Sequence, residues 1–273
     1  MRFDLRAMAR TMGRRKILAA LAAGLALAVV YLAFFASPAP HQAEIMTTYP
    51  PELTQGPPKH VVLLGASIGK AWHIAALPQR SGIGRFSFEY KHGSPFDKSE
   101  ELRSILGRTK NKPDLIFLKE CAAYFPGDLA IYQALMIQWI GECRAAGVEP
   151  IPATVVPVTP LQAYKQFAVD IVKLRNPFRR GLPFAQKRLK SLLAYNDWLR
   201  EYAAANGIAV LDLEAATRRS ARSRYLRSGL ARIDGLHLKP AAYPRLDSVV
   251  WPALAEALHV GDAAESRPAG DRR

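Results

Sequence analysis

The chain has 273 residues, 49% of them apolar, with 38 Lys plus Arg against 23 Asp plus Glu, a formal net charge of +15. That apolar share excludes a chain disordered throughout, two cysteines exclude a disulfide scaffold, and no Cys/His cluster has the spacing of a zinc site. The basic excess invites a nucleic-acid reading, so its distribution along the chain has to be examined first.

Residues 1–16 carry six basic side chains (Arg2, Arg6, Arg10, Arg14, Arg15 and Lys16) against Asp4 alone. Ile17 to Ala36 follow as 20 residues without a charge, enough to cross a bilayer core as a helix. The flanking charge keeps the N-terminus in the cytoplasm and sends the remainder across. The apolar run exceeds the roughly 7–15 residues of a cleavable signal, and Phe34-Phe35-Ala36 fits a small-x-small cleavage site poorly. An uncleaved signal anchor in the cytoplasmic (inner) membrane is the reading, with a cleaved signal as the alternative. Residues 37–59 contain six prolines and little apolar periodicity, an extended linker. Residues 60–259 then read as one domain, and 260–273 as a disordered tail.

Within the domain, His60–Leu64 is a β-branched strand ending in Gly-Ala-Ser, with a helical segment over Gly69–Leu77. Phe86–Tyr90 predicts a second strand, Lys98–Arg108 a short helix and Asp114–Leu118 a buried strand. Asp128–Ala146 predicts an amphipathic helix with Ile131, Leu135, Ile137, Trp139 and Ile140 on its apolar side and Gly147 as its stop. Pro150–Val156 reads as a strand, Phe184–Ala205 as a long helix closed by Asn206-Gly207, and Ile208–Leu213 as the last strand. Pro240–His259 is helical, with a kink or restart expected at Pro252. Strands alternating with helices imply a parallel sheet covered on both faces, whose ligand crevice lies at the strands' carboxyl ends.

Two motifs sit at such ends. In Val61-Val62-Leu63-Leu64-Gly65-Ala66-Ser67-Ile68-Gly69 a serine stands where a buried strand turns into a helix. Its hydroxyl is exposed near helix N–H groups that can stabilise an oxyanion. Far downstream, Asp234-Gly235-Leu236-His237 sets a carboxylate three residues before an imidazole, a spacing that lets the carboxylate hold one ring nitrogen while the other faces the serine. Taken singly, the serine is a common helix N-cap and the Asp-x-x-His a common surface turn.

Together, with the α/β pattern between them and with Leu238-Lys239-Pro240-Ala241-Ala242-Tyr243 after the histidine, these motifs resemble the SGNH (GDSL-type) hydrolases. The resemblance spans His60 to Leu258. It implies a three-layer α/β/α sandwich with a flavodoxin-like parallel sheet, and a catalytic triad of Ser67 as nucleophile, His237 as general base and acid, and Asp234 as orienting carboxylate. It also implies an oxyanion hole formed at Ser67 and at Gly93, in Tyr90-Lys91-His92-Gly93-Ser94, and a reaction that needs no metal or cofactor. The chain departs from the family at two places. Ala66 replaces the aspartate of Gly-Asp-Ser. The third block, where Gly-x-Asn-Asp is expected, reads Lys119-Glu120-Cys121-Ala122-Ala123-Tyr124, with Ala123 about where the oxyanion-hole asparagine belongs. Losing one such donor typically costs about 10²–10³ in rate. Lys119, Glu120 and Tyr124 are the polar candidates for a substrate rim there, with a structural role for Lys119 and Glu120 as the alternative. Cys121 and Cys143 read as packing thiols, since a helix separates them by roughly 20 Å.

Outside the N-terminus the basic excess lies in two segments. Residues 161–190 hold eight basic side chains against Asp170, and residues 217–232 hold six arginines and no acid. Both are expected near the site, where they would attract an anionic substrate, rest on anionic lipid head groups, or form a solvated face. A domain carried across a membrane has little access to nucleic acid, so no such partner is expected. The functional expectation is a membrane-anchored esterase or deacylase acting on acyl esters of cell-envelope glycans, or on lipid-like esters. Acyl transfer to a polysaccharide, or non-catalytic polysaccharide binding on the same fold, are the alternatives.

Overall fold

The structure, a computed structural model, describes residues 49–160, 162, 171–173, 175–176 and 184–265. The expected signal anchor, most of the linker and much of the first basic segment lie outside these residues. Among the described residues no helix is long and apolar enough to cross a membrane.

Four parallel strands form the sheet: β1 (Lys59–Gly65), β2 (Phe86–His92), β3 (Leu115–Lys119) and β4 (Glu149–Ala153), in the order β2-β1-β3-β4. The register pairs Gly65 with His92 on one side of β1 and Leu64 with Leu118 on the other. The period-two alternation of the strands sets up both cores. Val61 and Leu63 face one layer, with Trp72 of α2 (Ser67–Trp72), Leu77 of α3 (Leu77–Ser81), Leu213 of α7 (Leu213–Thr217), and Leu246, Val250, Trp251 and Leu254 of α8 (Tyr243–Glu265). Val62 and Leu64 face the other, with Leu102 and Ile105 of α4 (Ser99–Leu106), Met136, Trp139 and Ile140 of α5 (Leu129–Ala145), and Leu192, Tyr195 and Leu199 of α6 (Phe184–Ala205). The result is a three-layer α/β/α sandwich.

Four expectations change. Part of the linker is folded: α1 (Pro51–Thr54) buries Leu53 completely, and the Tyr49 ring meets Trp251 at 5.9 Å. Arg85 reaches back to the carbonyls of Glu52 and Pro57 and holds this segment down. The strand expected at Ile208–Leu213 shrinks to one parallel bridge between Ala153 and Leu211. There Leu211 N–H donates to Pro152 O and Thr154 N–H to Leu211 O, both at 3.0 Å. Pro150 and Pro152 have no N–H with which to lengthen this ladder, and Asp212 is already committed as the N-cap of α7. In α5 the buried face is Met136, Trp139, Ile140 and Cys143, whereas Ile131 and Ile137 are exposed. The helix is apolar on more than one side, so periodicity alone misplaces its stripe. Finally, α8 runs unbroken through Pro252 to Glu265. The burial of Trp251, Leu254 and Ala257 on the sheet offsets the one backbone hydrogen bond that Pro252 cannot make.

Candidate active site

Because the strands are parallel, their carboxyl ends share one edge, and the polar constellation lies along it. β1 ends at Gly65, where a Cβ would come within 3.2 Å of Lys119 Cβ and push the two strand ends a few tenths of an ångström apart. Ala66 stays extended and Ser67 opens α2. Tyr90 sits behind this turn, with its hydroxyl 3.1 Å from Gly65 O, 3.2 Å from Ala66 O and 3.0 Å from His92 Nδ1. It braces the two carbonyls just ahead of Ser67, where Ala66 supplies no carboxylate. On the far side of α2, Trp72 Nε1 donates to Asp247 of α8 at 2.7 Å, so the short helix is pinned at both ends.

The Asp234–His237 turn is closed on itself. Asp234 Oδ1 accepts from the N–H groups of Leu236 at 3.0 Å and His237 at 2.9 Å, and its Oδ2 lies 2.6 Å from His237 Nδ1. Burial resists ionisation of Asp234, but those backbone N–H groups and the imidazole outweigh it and hold the carboxyl down at about 2. An ionised Oδ2 can only accept, so Nδ1 carries the ring hydrogen and Nε2 presents its lone pair. Nε2 lies 3.0 Å from Ser67 Oγ. Gly235 has φ +70° and donates its N–H to Arg232 O, while Thr159 N–H donates to Gly235 O at 3.0 Å. The loop after β4 therefore fixes the turn from outside.

The opposite wall differs from what the sequence implies. Gly93 is buried at the end of β2, as its neighbours require: a Cβ there would come within 2.7 Å of Lys98 Cδ and 2.9 Å of Leu64 Cδ1. Its N–H donates to Gly65 O at 2.9 Å, because β2 runs two residues beyond Tyr90 and continues pairing with β1. The expected oxyanion donor is thus already engaged in the sheet. Lys119 and Glu120 are not rim residues; both are buried. Glu120 lies against Lys98, with Nζ 2.5 Å from both carboxylate oxygens, and Lys98 sits among the rings of Phe96, Tyr124 and Trp139. Burial raises Glu120 to about 7 against the opposing pull of Lys98. Lys119, lowered by its own burial, donates to Glu120 O at 3.0 Å. Ala123 is exposed and has no side-chain donor. Tyr124 is half-buried, and its hydroxyl donates to Ser94 Oγ at 3.2 Å. Burial raises that phenol, which keeps it a neutral donor. Cys121 and Cys143 are free and buried, and burial pushes the Cys143 thiol up to about 12.

Part of the second basic segment is internal rather than a rim. Arg224 grips the fully buried Glu214 and also Asp197, while Arg218 lies 3.7 Å from Glu214. Burial resists ionisation of Glu214, but Arg224, Asn196 and Arg200 hold it below the usual range. This hub anchors the path from α7 toward Asp234. Tyr90, Ser94, Lys98 and Thr159 had no signal in the sequence, since each acquires its role through partners far along the chain. Within the first segment, Lys165, Arg179 and Arg180 lie outside the described residues.

No protein-family model matches the sequence, and no curated protein does so either. Solved structures do match the fold. A GDSL-like lipase from Bacteroides thetaiotaomicron aligns with a TM-score of 0.52 at 16% identity, over 73% of this chain and 89% of the other. A catalytic mutant of an acetylxylan esterase from Geobacillus stearothermophilus aligns with a TM-score of 0.50 at 14% identity, over 75% of this chain and 96% of the other. With the parallel sheet order and the serine, histidine and aspartate meeting at its carboxyl edge, the chain has the fold of the SGNH (GDSL-type) hydrolases.

Proposed function

We propose that the chain is a serine hydrolase of carboxylic esters, a membrane-anchored esterase or deacylase that removes acyl groups from cell-envelope glycans on the periplasmic side of the inner membrane. The observation that carries the catalytic part is the unbroken relay from Asp234 Oδ2 through His237 to Ser67 Oγ, at 2.6 and 3.0 Å. Ser67 Oγ attacks the ester carbonyl while His237 Nε2 takes its proton, and Asp234 stabilises the imidazolium. The tetrahedral oxyanion lies at the start of α2, whose first N–H groups have no intrahelical acceptor. His237 then protonates the leaving alkoxide, and a water activated by the same imidazole releases the acyl group from Ser67. Membrane attachment is supported by the uncharged run 17–36 and its basic flank. The glycan ester is supported by the precedent of an acetylxylan esterase on this fold.

The engaged Gly93 N–H and the absent asparagine favour a second reading, a protein that keeps the fold to bind polysaccharide without turnover. Fluorophosphonate labelling and aryl-acetate hydrolysis by the full chain, beside Ser67→Ala and His237→Ala, separate the two. Labelling and turnover abolished in both variants are expected; an unlabelled wild type would leave the binding reading in place. Mixed acetylated and deacetylated envelope glycans then tell hydrolysis from acyl transfer. A C-terminal periplasmic reporter that stays inactive overturns the topology, and a mature chain beginning near Ser37 overturns the uncleaved anchor.

A further inference from the structure

β1 lies between β2 and β3, so a bond joining the segments after β2 and β3 spans the position of β1. The Tyr124–Ser94 hydrogen bond is such a crossing. Ser94 lies two residues past His92 and Ser67 two residues past Gly65, and His92 and Gly65 are register partners. Gly93 N–H still donates to Gly65 O, so Ser94 is the first residue past the ladder on β2, while Ser67 opens α2 two residues past it on β1. Tyr124 follows β3, the other neighbour of β1, and places its hydroxyl 3.2 Å from Ser94 Oγ. Beneath it, the Lys98–Glu120 pair joins the same two segments, and the Tyr124 ring packs on Phe96 at 5.9 Å and on Lys98 Nζ at 5.3 Å. The crossing therefore rests on a buried base.

The hydrogen balance of this wall decides which group can act. Gly93 N–H is engaged with Gly65 O, and Ala123 has no side-chain hydrogen to give. Tyr124 directs its one hydroxyl hydrogen to Ser94 Oγ. A serine hydroxyl that accepts one hydrogen bond still has its own hydrogen to donate, and among the described residues no acceptor takes it. Ser94 is exposed, so that hydrogen is open to a substrate.

We propose that the Ser94 hydroxyl is the side-chain donor of the oxyanion hole, and that Tyr124 is a positioning residue that orients it. This rests on the serine-hydrolase reading above and supplies the group which that reading lacks at the third block. As the Ser67 Oγ–carbon bond forms, the carbonyl π pair moves onto oxygen, and that oxygen accepts from the Ser67 N–H and from Ser94 Oγ–H. Ser94 keeps its proton throughout, while the only proton transferred runs from Ser67 through His237 to the leaving alkoxide. When the tetrahedral intermediate collapses, the bond to the alkoxide breaks and the two donors release the carbonyl oxygen.

The test uses the full chain with an aryl acetate and a fluorophosphonate probe, whose phosphoryl oxygen occupies the same position as the oxyanion. Ser94→Ala keeps the backbone N–H and removes only the hydroxyl, so it is expected to lower kcat about 10²-fold and slow labelling with little change in KM. Ser94→Thr, which retains a hydroxyl, recovers most of the loss. Tyr124→Phe leaves the ring packing in place and lowers kcat about ten-fold, again without a matching change in KM. A Ser94→Ala enzyme with wild-type kcat and labelling rate, or with its loss confined to KM, overturns this inference and leaves the serine-hydrolase reading standing. A wild type that is neither labelled nor active overturns that reading and this one together.

Discussion

On the histidine side of the site, the groups that orient the imidazole belong mainly to one short stretch. Asp234 binds the two N–H groups and the ring that follow it, and Arg232 N–H closes the turn onto His237 O. The opposite wall is assembled from three strand ends: Gly93 and Ser94 after β2, Gly65 and Ala66 after β1, and Lys119 to Tyr124 after β3. The bonds that tie the strand ends to one another join residues 22 to 30 positions apart. A local turn needs only its own spacing to form, whereas the wall needs the strands in register first. Both departures from the resembled family's motifs, at Ala66 and at Ala123, lie in this wall.

The largest expected effect breaks the histidine side without disturbing its turn. In Asp234→Asn, Oδ1 still accepts from Leu236 and His237 N–H, so the loop keeps its shape. The new amide faces Nδ1 as a donor, which drives the ring hydrogen onto Nε2 and aims it at Ser67. A fall of about 10⁴ in kcat is expected with a thermal midpoint lowered by only about 2–4 °C, read from aryl-ester kinetics and calorimetry. A loss of folding on that scale would instead make Asp234 primarily structural.

Next comes the base of the opposite wall. Glu120→Leu leaves the Lys98 ammonium buried among Phe96, Tyr124 and Trp139 with no counter-charge, and should cost about 3–5 kcal/mol in urea unfolding. The double variant Lys98→Met with Glu120→Leu should recover most of that, because apolar replacements of matching volume remove both desolvation penalties. A double variant as unstable as the single would show that the pair contributes more than it costs.

These residues also show what was legible beforehand. Ser67, Asp234 and His237 could be read because strand-turn-helix and Asp-x-x-His are local patterns, and the fold brings them together as their order implies. Gly93 lies in the turn where the motif places it, but its N–H is taken, since β2 continues to His92 and nothing in Phe86–Tyr90 marks that extension. Lys119 and Glu120 look like rim residues because charges at a strand end usually reach water; here the partner is Lys98, visible only once β2 and β3 flank β1. The fifth strand stops at the Leu211 bridge because Pro150 and Pro152 lack donors on the edge where the residues before Leu211 would have paired.

A smaller effect separates strain from crowding in the histidine turn. Gly235→Ala meets two penalties: a left-handed φ of +70° and a Cβ within 2.3 Å of Thr159 Oγ1. Gly82→Ala has a similar φ of +73° with nothing within 4 Å. The second should cost about 1–2 kcal/mol, the ordinary price of that backbone conformation. Gly235→Ala should exceed it by about 1–3 kcal/mol for overpacking, and should lower kcat as the Thr159 contact shifts His237. Equal costs for the two would show that the Thr159 loop yields freely and does not hold the turn.

The two sides also titrate in opposite senses. Asp234 is held at about 2 in the folded chain, below its ordinary 3.8, so it stabilises the fold above pH 3.8 and that contribution is lost as pH falls toward 2. Its side chain is 35% exposed, so solvent screening reduces the contribution to about 1 kcal/mol. Glu120 is raised to about 7 from 4.5; the folded chain then binds more protons than the unfolded one between those values, and stability falls as pH rises through that window. Urea midpoints followed from pH 3 to pH 8 should therefore pass through a maximum near pH 4–5 in whatever part of the profile these two groups control. Asp234→Asn should flatten the acid limb alone, and Glu120→Gln the neutral limb alone. A neutral limb that survives in Glu120→Gln would mean that another group titrates in that window and that Glu120 keeps one protonation state across it.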